Sequence, residues 1–424
     1  MANTAWLAIL VFVLVYGLIM SEKVHRTKIA LVGAIILLLV KIMPQEQALE
    51  KVDFNTLGLL IGMMIIVAIA MRTGMFQYMA VRLAKMVQGN PRSIMAVFFA
   101  FTAITSALLD NVTTVLLVTP IIFSITEILE VNPVPFLVSE IMASNIGGTA
   151  TLIGDPPNIM IGGATGIGFN DFVLHLAPVV LVVGFVTNWL FLRLYHKQLL
   201  PVEGAAQRVM ALDEKAYLTD MVLLRKVLLI LVLTIGGFVI SQKLGFESAT
   251  VAMAGAATLL LVSGIEPEEI FREVEWNTIF FFIGLFILVG GLEVTGVIRL
   301  IAEWGLDITQ SNTIALHFLI LWLSAIASAF IDNIPFVATM IPLIKAMGQI
   351  GGMDVSTLWW ALSLGACLGG NGTIIGASAN VVVSSIAFSK GYPMTFLSYM
   401  KVAFPMMLVS IVICNVYIYI RYLM

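Results

Sequence analysis

Charged side chains are scarce in this sequence. Asp, Glu, Lys and Arg make up 11% of its 424 residues, whereas a soluble domain typically carries about 25%. Hydrophobic residues make up 60%, and apolar runs such as Ala177–Leu192, Val227–Ile240 and Val402–Ile420 are close to the length that spans a bilayer. The composition excludes an ordinary soluble fold and predicts an all-α polytopic membrane protein.

Several kinds of chemistry lack the residues they need. The two cysteines, Cys367 and Cys414, both lie in apolar stretches and support neither a disulfide framework nor a thiolate metal cluster. The sequence has no Gly-x-x-x-x-Gly-Lys-Ser/Thr loop for nucleotide phosphates, and no nucleophile elbow or zinc-ligand spacing. We therefore expect no enzymatic activity, no cofactor, no resident metal ion and no nucleic-acid partner.

The sequence does contain an internal repeat, at a shift of 222 residues. Ser106–Pro120 (SALLDNVTTVLLVTP) matches Ser328–Pro342 (SAFIDNIPFVATMIP), and Gly147–Asn158 (GGTATLIGDPPN) matches Gly369–Asn380 (GGNGTIIGASAN). Apolar helical sequence rarely matches itself at polar positions, so these blocks indicate duplication of a whole unit. In membrane proteins such repeats usually frame a transport site at their interface.

Each repeat is predicted to contain five full spans and one re-entrant helical hairpin, in which two apolar arms flank a polar tip. Because five is odd, the second repeat would be inserted upside down. The predicted segments are repeat 1 at 1–199, with spans near 5–21, 28–43, 56–72, 134–164 and 174–195 and a hairpin at about 93–128; a cytoplasmic linker at 200–221; and repeat 2 at 222–424, with a hairpin at about 313–347.

The basic residues predict the orientation. With both termini outside, six of the 22 Lys and Arg residues fall on the outer side and the other sixteen on the cytoplasmic side, as the positive-inside rule requires. Arg26 is among the cytoplasmic residues, and no Arg or Lys is expected inside the membrane. The outer six are Lys41, Lys51, Lys243, Arg299, Lys345 and Arg421.

Asp110 and Asp332 stand at the predicted hairpin tips, each followed by an asparagine, Asn111 or Asn333. A carboxylate near the bilayer centre costs about 2.5–3.5 kcal/mol, so an intramembrane acid is a candidate functional residue. The alternative is that each Asp only caps the helix that begins there. The neighbouring asparagines and the repeated pattern favour a site where the two tips meet.

Two predicted spans carry glycines and polar residues, at Gly147-Gly148-Thr149 and at Gly369-Gly370-Asn371. Such glycines let a helix unwind and free backbone groups for a ligand, although they also allow close helix packing. Polar residues follow in both spans and end in Asn158 and Asn380. We therefore expect one broken helix in each repeat.

Two acids have no carboxylate at the equivalent position of the other repeat. Asp155 stands opposite Ala377, and Glu140 stands opposite Leu362. An unmatched acid beside a two-fold site is where proton or cation coupling is expected. The alternatives are that Asp155 caps a half-helix and that Glu140 lies exposed near the start of its span.

These motifs together resemble the ArsB/NhaD branch of the ion-transporter superfamily, and within it the P-protein group. The resemblance implies ten spans, two hairpins, separate scaffold and transport regions, and elevator-type alternating access. It also implies a substrate site between the hairpin tips and the broken helices. On this sequence the matching residues are Asp110, Asn111, Thr113, Thr114, Asn145, Gly147, Gly148, Thr149, Thr151, Asn158, Asp332, Asn333, Gly369, Gly370, Asn371, Thr373, Ser378 and Asn380.

The resemblance leaves several functions open. Proton-coupled efflux of arsenite or antimonite comes first, with Asp155, Asp110, Asp332 or Glu140 as the coupling acid. A sodium/proton antiporter would coordinate Na⁺ with the same acids, an anion carrier would use the positive ends of half-helices, and a passive channel would line a pore. The expected location is the plasma membrane of a bacterium or archaeon. The expected partners are the lipid bilayer, a second copy in a homodimer, and the soluble ATPase used by some arsenite permeases.

Overall fold

The computed structural model describes residues 2–21, 23–200, 203–310 and 312–424, so that 201–202 of the predicted linker lie outside the described residues. Its first half contains ten helices. They are α1 (Ala2–Met20), α2 (Arg26–Leu39), α3 (Gln45–Glu50), α4 (Phe54–Met71), α5 (Met75–Met86), α6 (Pro91–Leu108), α7 (Asn111–Leu129), α8 (Val134–Thr149), α9 (Pro156–Thr165) and α10 (Phe169–Leu194).

The linker and the second half follow. The linker contains α11 (Ala205–Met210) and a 3-10 helix (Glu214–Tyr217). The second half contains α12 (Met221–Leu244), α13 (Ser248–Ser263), α14 (Pro267–Phe271), α15 (Trp276–Val294), α16 (Val297–Thr309), α17 (Thr313–Phe330), α18 (Asn333–Gly351), α19 (Leu358–Gly369), 3-10 turns at Gly370–Gly372 and Ile374–Gly376, α20 (Ser378–Ser389), α21 (Phe396–Ile418) and a π-helical turn at Tyr419–Leu423.

The helices of the second half repeat the order of the first, and several begin 222 residues after their counterparts, as α7 and α18 do. The same local chemistry starts equivalent helices. Gly74 and Gly296 adopt left-handed backbone angles, with φ of 72° and 79°, where α5 and α16 begin, a conformation that costs glycine little. Asn90 and Asn312 cap α6 and α17 by accepting hydrogen bonds from backbone N–H groups. We call residues 222 positions apart counterparts.

Within the described residues, nine helices are long and apolar enough to cross a membrane. They do not correspond one to one with the ten predicted spans. Four of them, α6, α7, α17 and α18, are the arms of the two hairpins, which are as long as full spans. The broken helices are not among the nine, because each is divided into two pieces that are too short to cross a membrane.

One set of helices, α1–α4 with α12–α15, packs mainly on itself, and we call it the framework group. Gly284 of α15 lies against Ala30 of α2, and its counterpart Gly62 of α4 lies against Ala252 of α13. In both places an added Cβ would come within 2.7 Å of the facing backbone carbon. The two halves therefore pack on each other reciprocally, through the same residue types.

The second set, which we call the site group, consists of the hairpins, the broken helices, α10 and α21. Each hairpin packs its first arm on the broken helix of its own half, α6 on α8 and α17 on α19. The amphipathic helices α5 and α16 connect the two groups and pack on the second hairpin arms, α7 and α18. The groups also touch directly where α4 meets α9 and α15 meets α18.

Candidate functional site

Each hairpin reverses direction over two residues, and an aspartate caps the helix that leaves the tip. Asp110 accepts hydrogen bonds from the Thr113 backbone N–H (2.8 Å) and hydroxyl (2.5 Å). Asp332 accepts one from the backbone N–H of Ile334 at 3.1 Å. Both aspartates therefore cap helices, and the Thr113 hydroxyl adds a second hydrogen bond to the Asp110 cap.

The two broken helices have closely similar unwound segments. In the first half α8 ends at Thr149 and α9 begins at Pro156, and in the second the break is bridged by 3-10 turns. The side-chain amide of Asn158 donates to Thr149 O (3.1 Å) and Thr151 O (2.8 Å). Its counterpart Asn380 donates to Gly370 O (2.7 Å) and Thr373 O (2.8 Å). These two asparagines replace the helical hydrogen bonds that each break removes.

The predicted glycine and threonine residues mainly hold the breaks in place. Gly147 lies against α6, where a Cβ would come within 2.0 Å of Ala103 O, and Gly369 makes the equivalent contact with α17. Both glycines remain helical, so they serve close packing, and unwinding begins just after them. Thr151 donates a hydrogen bond to Ala107 O at 2.5 Å, and its counterpart Thr373 donates to Ala329 O.

Both hairpin tips reach one carboxylate, that of Asp155. The side-chain amide of Asn111 lies 3.3 Å from Asp155 Oδ1, and that of Asn333 lies 3.3 Å from the same oxygen and 3.5 Å from Oδ2. Asp155 is completely buried at the start of α9, and its own side chain makes no capping hydrogen bond to that helix. The capping alternative is therefore wrong for Asp155.

Asn145 connects this carboxylate to the second half. Its Nδ2 donates to Asn371 Oδ1 (3.0 Å) and Asn380 Oδ1 (2.9 Å), and its Oδ1 lies 3.3 Å from Asn111 Nδ2. Asn371 Nδ2 is buried and has no partner among the described residues. We call the five asparagines the asparagine cluster; its members are Asn111, Asn145, Asn333, Asn371 and Asn380.

Two residues of α19 that were not predicted as site residues also contact the broken helix of the first half. Ser363 donates to Asn158 Oδ1 at 2.5 Å, and the Cys367 thiol lies 3.6 Å from the same oxygen. Cys367 is the counterpart of Asn145, so each of the two helices places a polar side chain on the asparagine of the opposite half. The repeat alignment could have shown this pairing, because both residues stand two positions before the Gly-Gly pair.

The structure also corrects the expectation that no basic residue reaches the site. Arg26 Nη1 lies 2.6 Å from Asp332 Oδ2 and 2.6 Å from the Ser378 hydroxyl. Arg26 also lines a cleft with Asp110, Glu275 and both tip asparagines. Arg26 is the first residue of α2, where the sequence pattern is that of an ordinary flanking residue, so nothing in the sequence pointed to this contact.

Glu140 and Thr114 lie apart from the asparagine cluster. Glu140 is 2% exposed, so the exposed alternative for it is wrong. Its Oε1 accepts a hydrogen bond from Thr119 at 3.0 Å, and its Oε2 has no partner within the described part of the chain. The Thr114 hydroxyl is buried and likewise unpartnered there. The Thr149 hydroxyl donates within its own helix, to Asn145 O.

The arrangement thus surrounds a single buried acid with neutral amides. Asparagine amides offer both donors and acceptors, so the cluster can bind a small hydroxylated molecule. A buried carboxylate without an adjacent cation is costly when ionised and readily takes up a proton or a cation. The site thus combines amide donors and acceptors with one buried carboxylate.

Comparison with known proteins gives concordant matches. The family model described as CitMHS, citrate transporter, matches residues 16–365. An uncharacterized transporter of Mycobacterium tuberculosis (strain ATCC 25618 / H37Rv) is 42% identical over 421 residues, covering 98% of each chain. The human P protein is 33% identical over 480 residues, covering 93% of this chain and 57% of that protein.

Among solved structures, that of the Alcanivorax borkumensis YdaH transporter, described as having an unusual topology, is similar with a TM-score of 0.61. It is 12% identical and covers 99% of this chain and 98% of its own, so the similarity concerns the fold alone. The likeness to the P protein is confirmed, whereas the ArsB/NhaD branch stays a prediction. The matches and the spans together make this a multi-pass membrane transporter.

Proposed function

The chain belongs to the CitMHS citrate transporter family, and from that premise we propose that it is a proton-coupled secondary transporter. Its proposed substrates are the small neutral oxyacids of arsenic(III) and antimony(III), exported from the cell. Asp155 is proposed as the coupling carboxylate, and the asparagine cluster as the substrate site.

One observation carries the proposal: asparagines from both hairpin tips converge on Asp155. Because Asp155 contacts both hairpin tips, a movement of either tip changes the contacts of its carboxylate. The side-chain amides of Asn111 and Asn333 solvate the Asp155 carboxylate, and protonation of Asp155 removes the charge that they solvate. Because the same amides are proposed to bind the substrate, substrate binding and proton binding involve the same contacts. This is the requirement for coupling, because each ligand then changes the affinity for the other.

The packing supports an inverted arrangement of 1–199 and 222–424. Along α2 and α15 the contacts advance together, from Ala30 with Gly284 to Leu37 with Gly291, so these helices are parallel. Contacts between α4 and α13 advance in the same way. Because α2 and α4 run in opposite directions across the short α3 connection, α13 runs opposite to its counterpart α2. An inverted pair with both termini outside matches the distribution of basic residues.

Alternating access would then be a movement of the site group against the framework group. The two groups meet through few helices, which favours rigid-body displacement over local gating. The elevator-type mechanism, the plasma-membrane location, the homodimer and the soluble ATPase partner follow from the family resemblance and stay predictions.

The neutral cluster favours a neutral substrate. Arsenous acid carries hydroxyl groups that can donate to and accept from asparagine amides. Asp155 repels an anion, and no side-chain ion pair joins a basic residue to Asp155 within the described residues. Capture through sulfur has little support, since Cys367 is a single buried thiol.

The test is flux into inverted membrane vesicles under an imposed proton gradient. Uphill arsenite accumulation that collapses with the gradient supports the proposal. Na⁺-driven proton movement without arsenite transport would support the antiporter instead, and movement only downhill would support a channel. The Asp155→Asn variant should lose uphill accumulation while its yield and elution profile match the wild type, and undiminished accumulation would remove Asp155 from the mechanism.

A carboxylate substrate is the second candidate. The family is described as citrate transporters, and Arg26 offers a guanidinium at the edge of the site, which suits a carboxylate. In the structure this guanidinium is already paired with Asp332. Citrate uptake in the same vesicles, lost in Arg26→Gln and unaffected by arsenite, would favour this function over the first.

A further inference from the structure

The Arg26–Asp332 ion pair joins the two helix groups. Arg26 belongs to the framework group, where its guanidinium lies 4.9 Å from the centre of the Phe281 ring. The neighbouring Thr27 hydroxyl donates to Asn277 O at 2.8 Å and fixes the start of α2 on α15. Asp332 belongs to the site group, at the tip of the second hairpin. A displacement that carries Asp332 away from the start of α2 therefore breaks this pair.

Three donors of different kinds hold the Asp332 carboxylate. Oδ2 accepts from Arg26 at 2.6 Å and from the Ser378 hydroxyl at 2.8 Å, and Oδ1 accepts from Ile334 N. The side chains of Arg26 and Asp332 are only 27% and 13% exposed. An ion pair in such surroundings is costly to separate, because each partner leaves a poorly solvated charge behind.

The first hairpin has no equivalent pair. The counterpart of Asp332 is Asp110, and the counterpart of Arg26 is Ser248. Among the described residues, Thr113 is the one side chain that donates a hydrogen bond to Asp110. If the first hairpin moved to the equivalent position against the framework group, Asp110 would therefore lie beside the Ser248 hydroxyl and not beside a cation. A basic residue therefore neutralises the tip aspartate of the second hairpin but not that of the first.

The titratable groups around Asp332 come from four elements. Arg26 and His25, at the start of α2, line a cleft with Asp332. Glu275 at the start of α15 and Asp110 of the first hairpin line the neighbouring cleft with Arg26, and Asp155 of α9 interacts electrostatically with Asp332. Arg26 is the one guanidinium or ammonium group that lines either of the two clefts at this tip.

We propose that Arg26 holds Asp332 ionised in the arrangement seen here, and that Asp332 takes up a proton when the site group moves away from Arg26. The proton comes from water, binds a carboxylate oxygen of Asp332 and returns to water when Arg26 pairs with Asp332 again. Arg26 is thus a positioning residue, and Asp332 carries a proton in addition to any carried by Asp155. This inference rests on the proposed movement between the groups.

A cross-link that reports this arrangement needs no substrate. Asp53 Cγ of the framework group lies 3.1 Å from a Cβ built on Gly163 of the site group, so Asp53→Cys with Gly163→Cys is placed to form a disulfide. The matched control is Lys51→Cys with Gly290→Cys, since Lys51 Cβ lies 3.0 Å from a Cβ built on Gly290 and both residues belong to the framework group. Rates are measured in purified protein and normalised to this control, which removes the pH dependence of thiol chemistry.

The cross-linking rate should fall as pH is lowered, because protonation of Asp332 releases the pair and depopulates the arrangement. Asp332→Asn and Arg26→Gln should each lower the rate about tenfold and abolish its response to pH, an effect expected for a pair that couples two groups directly. Arg26→Gln with Asp332→Asn leaves no unpaired charge, should fold, and should show the same low, pH-independent rate. Arg72→Gln, which breaks an ion pair with Glu269 inside the framework group, should leave the rate unchanged.

An unchanged rate and pH response in the Arg26 and Asp332 variants would overturn the inference, as would absence of the cross-link in the otherwise unaltered protein. A pH response that persists in Asp332→Asn but vanishes in Asp155→Asn would assign the proton to Asp155 alone and overturn it as well. Because the assay contains no substrate, a failure of arsenite transport would refute the proposed substrate and leave this result standing.

Discussion

The two broken helices share a backbone and differ in their chemistry. Asn158 and Asn380 close the two breaks through equivalent hydrogen bonds, and Thr151 and Thr373 tie them to equivalent alanines. Only the first break carries an acid, Asp155, where the second has an alanine. The comparison teaches that the two halves share one backbone frame, and that the proposed coupling group stands in it once.

Moving the acid between the halves should have the largest effect. Asp155→Ala with Ala377→Asp places the carboxylate at the equivalent position of the second half. We expect uphill arsenite accumulation to fall at least about 100-fold, corresponding to the 2.5–3.5 kcal/mol at stake for a buried charge. The transferred acid should not restore it, because Asn111 and Asn333 both point at position 155.

The single variant Asp155→Ala is the control for this transfer, with vesicle flux as the measurement. If the two positions were interchangeable, the double variant would transport like the wild type while the single variant would not. That outcome would contradict the assignment of a unique coupling position to the first half.

The next largest difference is expected between the counterparts Asn145 and Cys367. Asn145→Ala removes donors to Asn371 and Asn380 and leaves buried amide oxygens unpaired, which should cost about 2–4 kcal/mol. Cys367→Ser keeps a donor near Asn158 and should cost less than about 1.5 kcal/mol. Thermal unfolding in detergent and vesicle flux measure both, and equal losses in the two variants would contradict the asymmetry.

The frame of the molecule could be predicted from sequence, and part of the site could not. The repeat register placed the hairpins, the breaks and the polar residues at their tips, because apolar periodicity and Gly, Asn and Asp signals are local. The segment predicted as a re-entrant hairpin, at about 93–128, folds as α6 and α7, and its re-entrant insertion stays a prediction. Contacts between residues distant in sequence were not predictable in this way.

Arg26 and Gly147 illustrate the limit. Arg26 was assigned by charge counting to a cytoplasmic flank, since nothing local indicates that Asp332, 306 residues later, would meet it. For Gly147, unwinding and packing give the same sequence signal, and only the position of α6 decides between them. The meeting of the two tips was expected from symmetry, but their convergence on the Asp155 carboxylate was not.

Substitutions at equivalent, similarly packed glycines of the two halves should lower the stability of the protein by similar amounts. Gly147→Ala and Gly369→Ala each push a Cβ into the backbone of a hairpin arm, within 2.0 Å of Ala103 O and 2.4 Å of Ala325 O. Each should destabilise the protein by about 1–3 kcal/mol. Gly236→Ala meets no atom within 4 Å and should be neutral or slightly stabilising. Clearly different shifts in melting temperature for Gly147→Ala and Gly369→Ala would contradict the predicted equivalence of the two packing contacts.

The smallest effect concerns the amphipathic helices. The linker holds α5 through Lys85, which donates to Glu214 (2.5 Å) and to Leu212 O (2.8 Å). The hydrogen bond from Lys85 lowers the pKa of Glu214. This contact is therefore complete above the ordinary pKa of a glutamate and is lost as pH falls through the lowered value.

Limited proteolysis of the linker should accordingly accelerate only in the acid range for the wild type. The Glu214→Gln variant should be cleaved at the faster rate at neutral pH, with transport nearly unchanged, because exposed ion pairs contribute little. Equal cleavage of the two proteins at neutral pH would show that the ion pair does not hold the linker.

The most direct test of the central claim asks whether both hairpin tips meet at Asp155. Asn111→Cys and Asn333→Cys, in a background of Cys367→Ser and Cys414→Ser, would place two thiols beside one carboxylate, a ligand set that suits Zn²⁺. Isothermal titration of the purified double variant should show Zn²⁺ binding at least about 100-fold tighter than in either single variant, and Asp155→Asn should weaken it. Equal Zn²⁺ affinity in the single and double variants would contradict the account.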